Sequence, residues 1–397
     1  MMRRIALAMG GLLAVQAHSQ DDSWEKIRQG LLLHPGLDHA RKMLEERRAE
    51  VQWAGRVPVP RLELELENFA GSGGASGFSG SSLGAWAVGD YRLGDVRGRE
   101  KDLAAADVSL QALDTLRARR ELLVAARGVW EEWRRERWMA GLLDSMAVQA
   151  NSLVEQSEKG RKVGRIGPWE VSMALAEGAQ WHMRSAAHRQ KAKVLWSRLA
   201  AWGGVDQEPD QLPDPIVDTS RIIEGLGMDS VVLEAERTRT QVQAALLVAQ
   251  DRPVLSGAVG VLRDQSTGDV GLGLRVSLPL PPWKRTGIET VRSKNQAVAL
   301  ERRIVLAARE RQIRRVGLHG DKAVALANLR SWESKVIPAR ELGLDQVEAS
   351  HAIGAVDASA VWAVRKELWE ARIERLEMMI RVLEIQRELE ILEGIEP

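Results

Sequence analysis

Between Pro60 and Phe69 the chain reads Pro-Arg-Leu-Glu-Leu-Glu-Leu-Glu-Asn-Phe. In an extended strand Leu62, Leu64 and Leu66 line one face and Glu63, Glu65 and Glu67 the other. The pattern returns at Asp269–Leu280, where Val270, Leu272, Leu274, Val276, Leu278 and Leu280 share a face opposite Gly271, Gly273, Arg275 and Ser277. One such alternation suits a half-buried strand of a soluble sandwich equally well. Long alternating strands inside an otherwise helical chain point instead to a share of a membrane β-barrel.

Around these strands the apolar period is helical. Asp22–Val51 carries leucines at three-to-four residue steps and is broken early at His34-Pro35-Gly36, and Pro58 and Pro60 end it. A Gly/Ser loop, 70–82, leads to a weaker strand over Leu83–Leu93. From Val96 an apolar stripe persists for about sixty residues, roughly 90 Å of helix. It stops at Val163-Gly164-Arg165-Ile166. Gly167 and Pro168 then suit the N-cap and first position of a helix reaching Trp202. After a Gly/Pro-rich linker the order recurs: helix 220–250, strands 254–263 and 270–280, and a long helix to Ser350. A turn at Ile353-Gly354-Ala355-Val356 follows, then a helix capped by Asp357 that runs to Leu392. Pro60 to Pro253 is a step of 193 and Val163 to Ile353 one of 190. The chain is therefore read as two copies of one unit, 20–204 and 220–397, joined by a linker at 205–219. Each half supplies one β-hairpin, spanning 61–93 and 254–280. Four strands cannot close a barrel that needs about eight, and an open edge is not tolerated in lipid, so closure requires several chains.

The start of the chain adds a destination. Met-Met-Arg-Arg, an apolar run over Ile5–Val15, and small residues at Ala17 and Ser19 have the layout of a secretory signal peptide, taken as 1–19. No later stretch is long and apolar enough to span a bilayer as a helix. There is no cysteine, which rules out a disulfide framework, a thiolate metal site and lipidation at cysteine. Lys plus Arg number 56 against 55 Asp plus Glu, so no global field favours nucleic acid or an acidic surface. Fourteen Trp stand against two Phe and one Tyr. Trp86, Tyr91 and Trp283 suit the aromatic belt of a membrane boundary, whereas Trp130, Trp133 and Trp138 read as packing between helices.

No catalytic constellation emerges. The seven histidines include no pair at the i, i+4 spacing of a helical metal site, and His34, His39, His182 and His188 read as solvated surface. Gly271-Leu272-Gly273 lacks the third glycine of a dinucleotide loop and lies within a strand. The Gly/Ser loop holds no nucleophile elbow, and a P-loop is absent. Neither cofactor nor metal is expected, and the chain is not read as an enzyme.

In order and spacing these features resemble the TolC-type outer membrane efflux protein family, nearer its heavy-metal efflux, CzcC-like branch. The matching residues are His34-Pro35-Gly36-Leu37, Pro60–Asn68, Leu93-Gly94-Asp95-Val96-Arg97, Ser277-Leu278-Pro279-Leu280-Pro281 and the two glycine-centred helix turns. The resemblance implies a mixed α and β fold, internally duplicated. Four strands per chain would contribute to a twelve-stranded outer-membrane barrel of a homotrimer, continuous with a long periplasmic α-helical barrel. It implies a passive exit duct that docks a periplasmic adaptor protein and an inner-membrane pump of the resistance-nodulation-division type. Metal cations or small toxic compounds would be the cargo. Val163, Gly164, Arg165 and Ile166, with Ile353, Gly354, Ala355 and Val356, become the tips that meet the adaptor. The family's aspartates six and nine residues past the second tip glycine are here Ala360 and Ala363, and Glu170 and Met173 stand at the first. Asp357 and Glu170 are the nearest substitutes, with helix capping as their other reading.

With the leucines toward lipid, Glu63, Glu65 and Glu67 project into a lumen as stacked acidic rings that favour cations. Arg61 and Arg275 are the charges able to offset them. A type I protein-secretion duct shares this architecture, and a periplasmic helical scaffold without a pore is the reading from another class.

Overall fold

A computed structural model describes residues 22–67, 72, 80–164, 167–205, 207–209, 227–279 and 287–394. Residues 1–21, which include the expected signal peptide 1–19, most of the Gly/Ser loop, Arg165, Ile166 and Trp283 lie outside the described residues, as do positions 211–226 of the linker region. The elements in order are helix α1 (Asp22–Leu32), a 3-10 turn (Pro35–Leu37), α2 (Asp38–Trp53), strands β1 (Arg61–Glu67) and β2 (Ser82–Arg92), α3 (Val96–Lys162) and α4 (Pro168–Gly203). Then follow α5 (Met228–Gln250), β3 (Val254–Asp264), β4 (Val270–Ser277), α6 (Gly287–Ser331), a π-helical turn (Trp332–Val336), α7 (Ile337–Ala352) and α8 (Ala358–Leu392). The order helix, hairpin, long helix, return helix thus occurs twice. None of these helices is long and apolar enough to cross a membrane.

Two compact units form, and each draws on both halves of the chain. One comprises Asp38–Arg117 and Met228–Glu310; the other Met1–Leu37, Ala118–Gly227 and Arg311–Pro397.

The first unit is built on a single antiparallel sheet of order β1-β2-β3-β4. Each alternating strand presents one residue set per face, and the register joins those sets into two continuous faces: Leu62 pairs with Ala87, Ala87 with Val259, and Val259 with Leu274. The apolar face has no cover among the described residues. Leu64 is 73% exposed, Leu272 87% and Leu274 77%. β4 ends two residues before Pro279, short of the alternation read to Leu280; proline has no N–H to donate to a ladder.

Tryptophan organises the second unit. Trp24 of α1, Trp130 and Trp133 of α3, and Trp196 of α4 form one cluster with Ile27, Leu31, Leu123 and Leu199. The Trp130 and Trp133 rings lie 4.6 Å apart and those of Trp133 and Trp196 5.0 Å apart, tilted rather than stacked. Nearer the helix turns, Trp181 of α4 meets Trp369 of α8 edge-on at 5.6 Å. A third cluster joins Leu318, Ala325 and Leu329 of α6 to Val382, Ile385 and Leu389 of α8. The tryptophan enrichment at these positions is core packing, as read for Trp130 and Trp133.

One local feature was not legible. The second long helix is interrupted by the π turn, where the Ile337 N–H donates to the Trp332 carbonyl. The cause is Pro338, which cannot donate to the Ser334 carbonyl and whose ring crowds it, so one extra residue is accommodated before the helix resumes.

Candidate functional site

Two places carry the residues singled out above: the polar face of the sheet and the two helix turns. On the polar face β1 contributes Arg61, Glu63, Glu65 and Glu67. Opposite Glu63 in β2 stands Trp86, which pairs with Gly260 of β3, itself paired with Gly273 of β4. Trp86 is 4% exposed. It lies against the sheet because both glycines lack a Cβ: one added at Gly260 would stand 2.6 Å from the Trp86 ring, and one at Gly273 2.5 Å from it. Trp86 therefore belongs to the polar face and not to a boundary belt. Tyr91, by contrast, is exposed at the end of the apolar face.

Over this ring passes Arg275, its guanidinium carbon 4.4 Å from the ring centroid. The same guanidinium donates to a Glu65 carboxylate oxygen at 2.6 Å, reaching diagonally from β4 to β1. Arg61 donates to Glu63 at 2.9 Å and approaches Asp90 at 3.5 Å, while the Ser256 hydroxyl donates to Asp90 at 2.6 Å. Both offsetting arginines thus find glutamates, leaving Glu67 outside the two ion pairs. Counted over the four strands, the face carries Glu63, Glu65, Glu67, Asp90 and Asp264 against Arg61, Arg92 and Arg275, an excess of two negative charges.

The helix turns are built alike. Gly164 and Gly354 have φ of 75° and 77°, a region that side-chain-bearing residues rarely adopt, and each N–H donates to a carbonyl of the turn before it. Val163 and Ile353 are 68% and 82% exposed. Behind the first tip the last turn of α3 carries Lys159, Arg161 and Lys162, which suit a helix C-terminus. A few turns back Lys366 of α8 donates to Glu177 of α4 at 2.9 Å, so both tips lie at the same end of the helical unit.

The two carboxylates nearest the replaced aspartate positions, Glu170 and Asp357, are occupied as caps. Glu170 accepts from the Gly167 N–H at 2.6 Å. Asp357 accepts from the Ala360 N–H at 3.0 Å and from the Ser359 hydroxyl at 2.7 Å; these bonds, the hydroxyl first, hold its carboxyl below the usual range. Because the folded value is depressed, this cap stabilises the tip fully above the ordinary aspartate pKa of ~3.9 and is lost as pH falls through the folded value. The protection factor of the Ala360 amide, its exchange rate relative to the intrinsic rate at the same pH, is expected to fall in Asp357→Ala and, in the wild type, on strong acidification; unchanged protection in both would exclude the cap.

The remaining candidates divide. His188 is not solvated surface: its Nδ1 lies 2.5 Å from a carboxylate oxygen of Glu136, which is 3% exposed. Its mate across the helix pair could not be seen in the sequence, since 52 residues separate the two. His182 contacts Asn151, and His34 accepts from the Gly36 N–H within its own turn. Among the described residues no group of His, Asp and Glu is arranged to hold a metal ion.

No protein-family model and no curated protein sequence matches the chain. Solved structures do. The outer membrane protein VceC from Vibrio cholerae superposes with a TM-score of 0.72 at 18% identity, covering 95% of this chain and 98% of VceC. A membrane protein from Pseudomonas aeruginosa gives 0.72 at 14% identity over 94% and 93% of the two chains. The outer-membrane channel OprN gives 0.71 at 15%, over 94% and 90%. The chain has the TolC-type protomer fold: a four-stranded antiparallel sheet on long helices, its barrel left open at β1 and β4 as in a lone protomer.

Proposed function

We propose that this chain is the outer-membrane channel subunit of a tripartite efflux system, a passive exit duct without catalytic chemistry. The observation that carries the reading is the open sheet, apolar and uncovered on one face, charged on the other. Between Arg263 and Tyr91, which end the apolar face, lie eight residues of β2 register, about 27 Å of strand. That is comparable with the ~25 Å apolar band of outer-membrane barrels. In water such a face would be an aggregation surface, and both sheet edges would stay unpaired. Three copies close twelve strands, satisfying the edges with β1 of one copy beside β4 of the next. The exposed apolar stripe of α6, including Ile288, Val291, Val298, Val305 and Ile313, gains neighbours in the same assembly.

In this reading the protein resides in the Gram-negative outer membrane and extends into the periplasm, with the duplicated units 20–204 and 220–397 alternating round the ring. The tips at Val163, Gly164, Arg165 and Ile166 and at Ile353, Gly354, Ala355 and Val356 dock a periplasmic adaptor, which links the duct to an inner-membrane resistance-nodulation-division pump. Metal cations or small toxic compounds are the cargo. The stacked Glu63, Glu65 and Glu67 give the lumen its cation preference, moderated by Arg61 and Arg275.

The test is conductance of the purified protein in planar bilayers with reversal potentials under a salt gradient. The wild type is expected to conduct as a trimer and prefer cations. Changing Glu63, Glu65 and Glu67 together to Gln leaves two acids against three arginines, and the preference is expected to fall to neutrality or below. A folded protein that never conducts, even when its tips are loosened by Gly354→Val, would favour a helical scaffold instead.

A further inference from the structure

On the polar face Arg275 is held from two sides. Arg275 lies across a ring that is itself pinned by Gly260 and Gly273, and its far end is fixed by Glu65. Both residues stand on edge strands, and the Glu65 side chain, 30% exposed against 47% for Arg275, is the acid that meets it. A guanidinium is always charged and stays seated on an aromatic face when a carboxylate partner is lost. In a narrow duct a fixed cation repels cations and attracts anions over distances comparable with the lumen radius, less so at high salt.

We propose that Arg275 is the specificity-determining residue of the lumen. Seated on Trp86, it cancels Glu65 and holds the cation preference of the acidic face below what the glutamates alone would produce. The inference rests on the pore reading and deepens it, since a ring of three such arginines exists only in the closed barrel. It also reassigns the acidic ladder: Glu65 acts chiefly as the counter-charge that masks Arg275, and the unmatched preference falls to Glu67 and Asp264, which stand outside the pairs made by Arg61 and Arg275.

The signature lies in the signs. Arg275→Gln is expected to raise the cation-to-anion permeability ratio about threefold or more, an effect of the size one unscreened charge per chain exerts at this range. Glu65→Gln, which unmasks the seated cation, is expected to lower the ratio by a similar factor. The double change Arg275→Gln with Glu65→Gln should return it near the wild-type value, and Arg275→Lys, which keeps the charge, should leave it little moved. A purely structural latch gives another pattern: both single changes loosen the same contact, shift the ratio the same way or not at all, and Arg275→Lys behaves like Arg275→Gln. That result, in protein that inserts and conducts, overturns the inference and leaves the duct intact. Absence of conductance in wild type and all variants, Gly354→Val included, overturns duct and inference together. Strand content by circular dichroism accompanies each variant; if Arg275→Gln does not fold, Glu65→Gln and Arg275→Lys still decide between the two patterns.

Discussion

Replacing Gly30 by alanine is expected to destabilise the helical unit by about 2–4 kcal/mol, although alanine is the better helix former by ~1 kcal/mol. A Cβ at Gly30 would stand 1.8 Å from the Gly203 carbonyl oxygen and 2.6 Å from its carbon, backbone atoms with no rotamer to yield. Gly203 in turn sits against the backbone of Ile27. The two helices touch main chain to main chain, so the added methyl can be admitted only by moving α1 bodily away from α4. An eleven-residue helix has little stability of its own. What holds it is the burial of Ile27 and Leu31, both fully enclosed, and of Trp24 against Trp130. Side chains of this size are worth about 1.5–3 kcal/mol each on full burial. A shift that uncovers even part of them outweighs the gain in propensity. Denaturant unfolding followed by tryptophan fluorescence reads the change directly. Because propensity and packing predict opposite signs, unchanged or increased stability would mean that α1 does not pack on α4 at this point.

Much of the fold was legible because the period of apolar residues survives in sequence. The strands begin where the alternation begins. Asp357 caps α8 and Gly167-Pro168 start α4 as their residue types dictate. The helix turns fall on Gly164 and Gly354. What could not be read were relations between distant segments. Alternation says that Glu65 and Arg275 each face away from lipid-like leucines, but only the register through β2 and β3 sets them on one diagonal. Nothing in the local sequence of Trp86 distinguishes a boundary residue from one folded onto the polar face; the decision is made by Gly260 and Gly273, some 170 to 190 positions away. The pairing of His188 with Glu136 and the backbone contact of Gly30 with Gly203 are likewise products of helix packing. Glycine was the one signal available: in strands and helices, where it is costly, it marks a close approach without naming the partner.

The sheet offers a second test of that rule, and the two glycines beneath Trp86 should respond differently. Gly260→Ala places its Cβ 2.6 Å from the ring and also 2.6 Å from the Ala85 carbonyl oxygen of the neighbouring strand. Gly273→Ala meets only the outer edge of the ring, at 2.5 Å, and the Leu262 side chain at 2.7 Å. Side chains can retreat; a carbonyl engaged in a β-ladder cannot without opening the β2–β3 pairing on which the sheet depends. Overpacking of the kind at Gly273 costs about 1–3 kcal/mol, and Gly260→Ala is expected to exceed it. The difference appears when the ring is reduced: Trp86→Leu should restore most of the stability lost in Gly273→Ala and little of that lost in Gly260→Ala. Urea unfolding of the strand signal in detergent, arranged as two double-mutant cycles, measures both couplings. Equal rescue at the two positions would mean that the ring alone fills the space above Gly260. Failure of rescue at both would mean that Trp86 does not lie on these glycines, and the seat proposed for Arg275 would go with it.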